Sequence, residues 1–417
     1  MRIAVYIEIE VAMMRVRIGQ FSVVMGLAGV LCAPVMASAQ VPAPQAPAAT
    51  ATTPAVIPTT SATAPTAPAT PAATPAVATP QDPAPVAQAV PAGGGRVFNP
   101  DMSVIANFLG VAGKNANNTD PAMSLSEVEV SLQAVVDPYA RADFFLSATP
   151  GGLSVEEGFI TFTALPGDFQ MKVGKLRAQF GKVNAQHTHA LPYADRPLVS
   201  QNLVGGEDGI DDSGISVSRL IPAGGLFLEA TGEVFSGTSG VFQSPQRSKL
   251  NYVGRLRAYR DITEGSNIDL GASAAFGPTN IGPEANKTLF GIDATFHYRP
   301  LRRAIYTKFQ ARTELIWSRQ DAAVSTGVQQ KSFGWYALAE YQFARRWYSG
   351  VRVDRSARAL DMTLTDSGQS AFLTYWPSEF SQIRGQYRRT KYAEGLTGNE
   401  VLFQINFSIG AHGAHVF

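Results

Sequence analysis

The chain is nearly free of cysteine. Its one thiol, Cys32, lies in the first forty of 417 residues. A folded part of this size built without disulfides needs a large core or an extensive hydrogen-bonded framework. Charge is also scarce. Only 16% of residues are charged and the formal net charge is +1, which excludes the basic footprint of a nucleic-acid binder and a polybasic membrane patch. Long apolar runs are missing beyond residue 40, and so is helical periodicity, so no helical membrane core is present. No phosphate-cradling loop, no G-x-S-x-G elbow and no outstanding carboxylate pair occurs, and His297 is the only histidine at mid-chain outside one long loop. The residues point to no enzyme and no cofactor.

The N-terminal quarter is organised for export. Arg15 and Arg17 precede the apolar run Phe21 to Ala37, and Ala37-Ser38-Ala39 follows. Basic, apolar and small-residue segments in that order predict a signal peptide over 1–39. Residues 40–96 are Pro, Ala and Thr with almost no charge, a composition that cannot build a core and predicts an extended tether. Gly93-Gly94-Gly95 marks the boundary, and the folded domain is expected over 97–417.

From residue 102 the chain runs as short alternating segments separated by turn residues. Sixteen strands are predicted, at 102–111, 125–136, 139–148, 156–164, 169–178, 213–221, 226–235, 250–261, 267–276, 287–298, 306–317, 332–343, 346–355, 368–376, 380–390 and 399–410. Every second connection is short, such as Asp137-Pro138, Pro166-Gly167-Asp168 and Ala344-Arg345. The others are mostly long, the link at 149–155 being the least so. Val128, Val130 and Leu132 alternate with Glu127, Glu129 and Ser131; Phe309, Ala311 and Leu315 alternate with Lys308, Gln310, Arg312 and Glu314. An ionised side chain facing hydrocarbon costs about 2–4 kcal/mol for Arg or Lys at mid-bilayer, so the charged face must point inward, toward a watery lumen. Trp317, Trp335, Trp347 and Trp376 fall near strand ends and are expected at the two membrane interfaces.

The last predicted strand alternates Val401, Phe403, Ile405, Phe407 and Ile409 against Leu402, Gln404, Asn406 and Ser408, and the same parity runs to Phe417. With the signal peptide, the even strand number and the loop parity, this resembles a Gram-negative outer-membrane porin of the general-diffusion or phosphate-selective type. The likeness covers 97–417 and rests on many weak segments without a sharp motif; His415 departs from the apolar residue usual in the closing strand. It implies a transmembrane antiparallel up-and-down β-barrel in the cell outer membrane, passing small hydrophilic solutes or ions by diffusion, commonly as a homotrimer. Receptors of about 22 strands with a folded plug fit poorly.

The longest connection, from about Gln179 to Asp212, stands where porins fold a loop into the barrel. It carries Glu207, Asp208, Asp211 and Asp212, while inward parity gives Arg255, Arg257, Arg312, Arg352, Arg384 and Arg388. Acids on the loop facing arginines on the wall would set a transverse field at a constriction, and the arginine excess points to anion preference. The alternative is that the acids lie on an exposed outer loop and the arginines pair with nearby carboxylates. The same loop holds His187-Thr188-His189, with Asp195 as a third candidate metal ligand; hydrogen bonds stabilising a packed loop are the plainer reading. Two further functions stay open: a nutrient- or metal-selective channel, and a barrel that anchors the cell wall by peptidoglycan contact through the tether.

Overall fold

A computed structural model of the chain describes residues 100–244, 246–282, 284–321 and 329–410. The signal peptide, the whole of the tether, His412, His415 and Phe417 lie outside the described residues. The described chain forms sixteen antiparallel strands: β1 (Asp101–Lys114), β2 (Met123–Asp137), β3 (Ala140–Thr149), β4 (Gly152–Leu165), β5 (Phe169–Arg177), β6 (Asp211–Ala223), β7 (Leu226–Phe235) and β8 (Asn251–Thr263). The second half comprises β9 (Ser266–Pro278), β10 (Asn286–Tyr298), β11 (Lys308–Asp321), β12 (Gln329–Ala344), β13 (Trp347–Ala357), β14 (Thr365–Ser378), β15 (Ser381–Lys391) and β16 (Thr397–Gly410). Each pairs with its sequence neighbours, and β1 pairs with β16, so the sheet closes into a barrel with no free edge. Every predicted strand has its counterpart, differing by a few residues at the ends.

Alternation decides the faces. On β16, Leu402, Gln404, Asn406 and Ser408 are buried inside, while Val401, Phe403, Phe407 and Ile409 are exposed outside. On β10, Phe290 and Ile292 are exposed while Asp293 is buried. A closed barrel with an apolar exterior satisfies every ladder hydrogen bond internally, which is what lets it span a bilayer. Outward-facing Arg319, Arg355, Arg389 and Lys391 bound this surface toward the long-loop rim. Trp317 packs on Phe333 at 5.1 Å and Trp347 on Tyr375 at 4.6 Å, both pairs on the outside, and Trp335 shares their face. Trp376 departs from expectation. It follows the inward parity of Ser370, Phe372 and Thr374 and is buried, so it contributes nothing to an outer aromatic girdle.

The lumen is not, as parity suggested, lined by polar residues alone. Inward Phe235, Leu289, Ile316, Tyr336, Leu338 and Phe372 form an apolar cluster with residues of the β5–β6 connection. The strand pattern placed these side chains inside. That a loop with matching apolar residues fills the space between them is a property of the closed molecule.

Candidate functional site: the infolded loop and the inner wall

The connection 178–210 enters through a narrow neck. Ala178 N–H donates to the Ile210 carbonyl (2.8 Å). The Asn184 amide ties both ends by donating to the Ala178 and Ile210 carbonyls (2.9 and 3.2 Å) and accepting from Ile210 N–H (2.8 Å). Gly181, at φ +61°, lies so near the wall that a Cβ there would displace the Glu314 carboxylate; the left-handed backbone is what favours glycine at this position. Past the neck, Phe180, Val183, Leu191, Tyr193, Val199, Leu203 and Val204 bury themselves in the lumenal cluster. A 3-10 turn spans Thr188–Ala190, and a short helix, α1 (Leu198–Leu203), follows Pro197.

Polar anchors fasten the loop around the wall. Lys182 reaches Asp269 of β9 at 2.8 Å. The Arg255 guanidinium donates to the Gly181 carbonyl (2.5 Å). Arg312 of β11 donates to Gln186 (3.0 Å), and the Leu198 amide donates to Asp354 of β13 (3.2 Å). Asp195 is the largest anchor. Its Oδ2 accepts from Arg352 Nη2 (2.9 Å) and Arg388 Nη1 (3.1 Å), its carbonyl accepts from Arg352 Nη1 (2.7 Å), and its Oδ1 accepts from Gln386. Burial alone would raise the Asp195 pKa, but the two guanidiniums outweigh it and hold the carboxyl below its ordinary range. Arg352 also lies over the Tyr193 ring, 4.4 Å from its centroid.

The expected opposition of loop acids and arginines takes another form. All six arginines point inward, where they meet mainly wall residues. Arg255 pairs with Asp293 (3.0 Å), Arg257 with Asp269 (2.7 Å), Arg352 with Asp354 (2.8 Å) and Arg388 with Glu400 (2.7 Å). Arg384 hydrogen-bonds neutral Thr374 (3.1 Å) and Gln404 (2.7 Å). Of the four acids, Glu207 and Asp208 are exposed on a turn whose carbonyls accept from Arg177 (2.9 and 3.3 Å). Asp211 pairs with Lys175 (2.9 Å), and Asp212 caps the next turn, accepting from the Gly237 and Thr238 amides (both 2.7 Å). The loop carboxylate that faces arginines is Asp195, which the sequence offered as a third candidate metal ligand beside the plainer reading of hydrogen bonds that stabilise the loop.

His187 and His189 do come together, with their rings 5.6 Å apart, but Asp195 does not join them. Their companions are wall carboxylates that sequence reasoning missed. His187 Nδ1 lies 2.5 Å from Glu129 Oε2, and His187 Nε2 lies 2.7 Å from Glu157 Oε2. His189 Nδ1 lies 3.7 Å from Glu129 and 3.9 Å from Glu127. Arg177 pairs with Glu156, and its backbone amide donates to Glu157 (2.7 Å). Glu127 and Glu129 were legible as inward-facing residues of β2. Glu156 and Glu157 were not, because neighbours on a regular strand face opposite sides. A bulge in the β3–β4 register, with Glu157 opposite Phe145 and Val155 opposite Leu146, leaves Glu156 unopposed and lets both carboxylates face the lumen. Burial alone would lower the His187 pKa; Glu129, Glu157 and Glu156 override that and raise it well above the usual histidine value.

The closed sixteen-strand antiparallel barrel, with an apolar exterior and a long loop folded in after its fifth strand, is the architecture of outer-membrane porins. The anion-selective porin of Comamonas acidovorans superposes with a TM-score of 0.52 at 10% identity, over 75% of this chain and 99% of that one. The outer-membrane channel DcaP of Acinetobacter baumannii gives 0.51 at 12%, over 75% and 96%, and Pseudomonas putida OprB gives 0.51 at 8%, over 75% and 94%. The chain thus has the fold of a porin-type barrel. No family model matches the sequence. The chain belongs to one family with an Aquifex aeolicus (strain VF5) protein described as uncharacterized, to which it is 30% identical over 387 residues, covering 77% of this chain and 81% of that one.

Proposed function

We propose that the protein is a passive channel for small hydrophilic solutes or ions, narrowed by loop 178–210. The observation that carries this reading is the inner wall. Charged and hydrogen-bonding side chains line strand after strand inside a barrel whose outside is apolar, and such a wall serves a hydrated path. Anion preference is part of the proposal. Its support is Arg384, whose hydrogen bonds go to neutral partners, so that its positive charge is not neutralised by a hydrogen-bonded carboxylate. A neighbour of the same fold is an anion-selective porin. Planar-bilayer recording of the purified, folded protein tests both parts. Stepwise insertions with conductance above the leak are expected, and their absence would sink the channel reading. In a KCl gradient the reversal potential is expected on the chloride side, and Arg384→Gln is expected to move it toward zero. A homotrimeric state and peptidoglycan contact through residues 40–96 belong to the same proposal, tested by mass measurement in detergent and by sedimentation with purified cell wall.

A further inference from the structure

The cluster where the loop meets β2 and β4 has features that a loop anchor does not require. His189 is 6% exposed and its Nδ1 has no hydrogen-bond partner; Glu156 is 8% exposed and its Oε2 has none either. Buried polar atoms left unmatched are costly, and each of these two belongs to a group of ligand-type side chains that includes Glu129. Donor atoms of Glu129, His187 and His189 all lie within 4.8 Å of one another, as do those of Glu127, Glu129 and Glu156.

We propose that Glu129, His187, His189 and Glu156 form a binding site for one divalent transition-metal ion of the zinc type, joining the infolded loop to the barrel wall. Two imidazoles with carboxylates suit a borderline ion and are a poor set for magnesium or calcium, which take all-oxygen shells. In a tetrahedral site with bonds of about 2.0–2.1 Å, neighbouring donors stand about 3.3 Å apart. His189 Nδ1 to Glu129 Oε2 is 3.7 Å and His187 Nδ1 to Glu156 Oε2 is 3.9 Å. These two pairs need to close by only a few tenths of an ångström, while Glu156, which shares no 4.8 Å group with His189, must swing further in. The 2.5 Å contact of His187 Nδ1 with Glu129 must open as the ion comes between the two donor atoms, and a proton carried on Nδ1 leaves to solvent. The outer shell is already in place. Glu157 accepts from His187 Nε2 and is held by the Arg177 amide, an arrangement that directs Nδ1 toward the ion. Arg177 occupies Glu156 Oε1 and leaves Oε2 available. Four carboxylates around one arginine and one shared histidine proton also leave excess negative charge for a cation to offset. The site stands independently of the channel reading, since it requires only the folded barrel.

The test uses untagged, full-length protein folded in detergent, stripped with chelator and dialysed against zinc chloride with excess magnesium. One zinc per barrel is expected. A His187→Ala, His189→Ala variant, shown to be folded by its heat-modifiable gel mobility, is expected to bind at least about 100-fold more weakly, and Glu157→Gln about 10–100-fold more weakly. Cobalt added to the unsubstituted protein is expected to give the intense visible bands of a four-coordinate ion, a readout that needs no variant. Less than one-fifth of a zinc per barrel, unchanged affinity in the double-histidine variant, or a cobalt spectrum like that of the hydrated ion would each overturn the proposal.

Discussion

Asp195→Asn tests how the loop is held. The change keeps the shape but removes the charge that meets Arg352 at 2.9 Å and Arg388 at 3.1 Å. Removing one partner of a buried ion pair costs up to about 3–5 kcal/mol when the other is left alone. Here neither arginine is left alone, because Arg352 keeps Asp354 and Arg388 keeps Glu400. The asparagine oxygen also still accepts one hydrogen bond. Loss of the charge contribution at two contacts is therefore set at about 2–3 kcal/mol. At about 1.4 kcal/mol per tenfold, the population with the loop lifted from the β13–β15 wall rises roughly 30–150-fold. Hydrogen exchange by mass spectrometry reads this directly. Amides of 191–204 should exchange faster by that factor, while strand amides stay protected because the barrel ladders are untouched. A change below about threefold in the loop, or an equal change in the strands, would refute the anchoring argument.

The pH dependence of the same anchors has two signs. Asp195 is depressed, so its contribution is full above the ordinary carboxylate range of about 4 and is lost as pH falls through the depressed value. His187 is raised, so its hold on Glu129 and Glu157 is full below about 6.5 and is lost as pH rises through the raised value. Exchange protection, corrected for intrinsic rates, should thus fail first over 191–204 in acid and first near His187 in base; loss of both segments at the same pH end would contradict the assignments. Leu203→Ala opens a cavity among fully buried side chains and should weaken loop packing by about 2–5 kcal/mol, seen as protease cleavage within 178–210 while the barrel stays intact. Ile292→Arg places a charge on the lipid face of β10 and should lower barrel stability by about 2–4 kcal/mol in denaturant titrations from lipid vesicles, with no shift expected if this face met water instead.

Much of the barrel could be read in the chain because period-two alternation is local. It places Leu402, Gln404 and Asn406 inside and Phe403 and Phe407 outside without any knowledge of what lies across the lumen. The same logic turned the six arginines inward; His187 and His189 also meet, but through a 3-10 turn at Thr188–Ala190 and not through strand alternation. It failed where geometry depends on closure. Asp195 finds Arg352 and Arg388 more than 150 positions away, across a lumen whose width no strand encodes. The bulge beside Glu156 breaks the alternation that parity relies on, and with it the carboxylate cluster disappeared from the linear pattern. Trp376 sits near a strand end like its three counterparts, yet its inward parity turns it away from the lipid.

Strand number, strand order along the chain and the facing of side chains on the regular stretches were therefore set by sequence alone, since each follows from alternation and turn chemistry within a few residues; the bulge beside Glu156 is where that reading stops. Which charges meet, which histidine nitrogen faces which carboxylate and how far the loop fills the lumen were decided only in the closed barrel. Coulomb and metal-ligand interactions depend on distances of a few ångströms between residues far apart in sequence, and the path of the loop sets those distances.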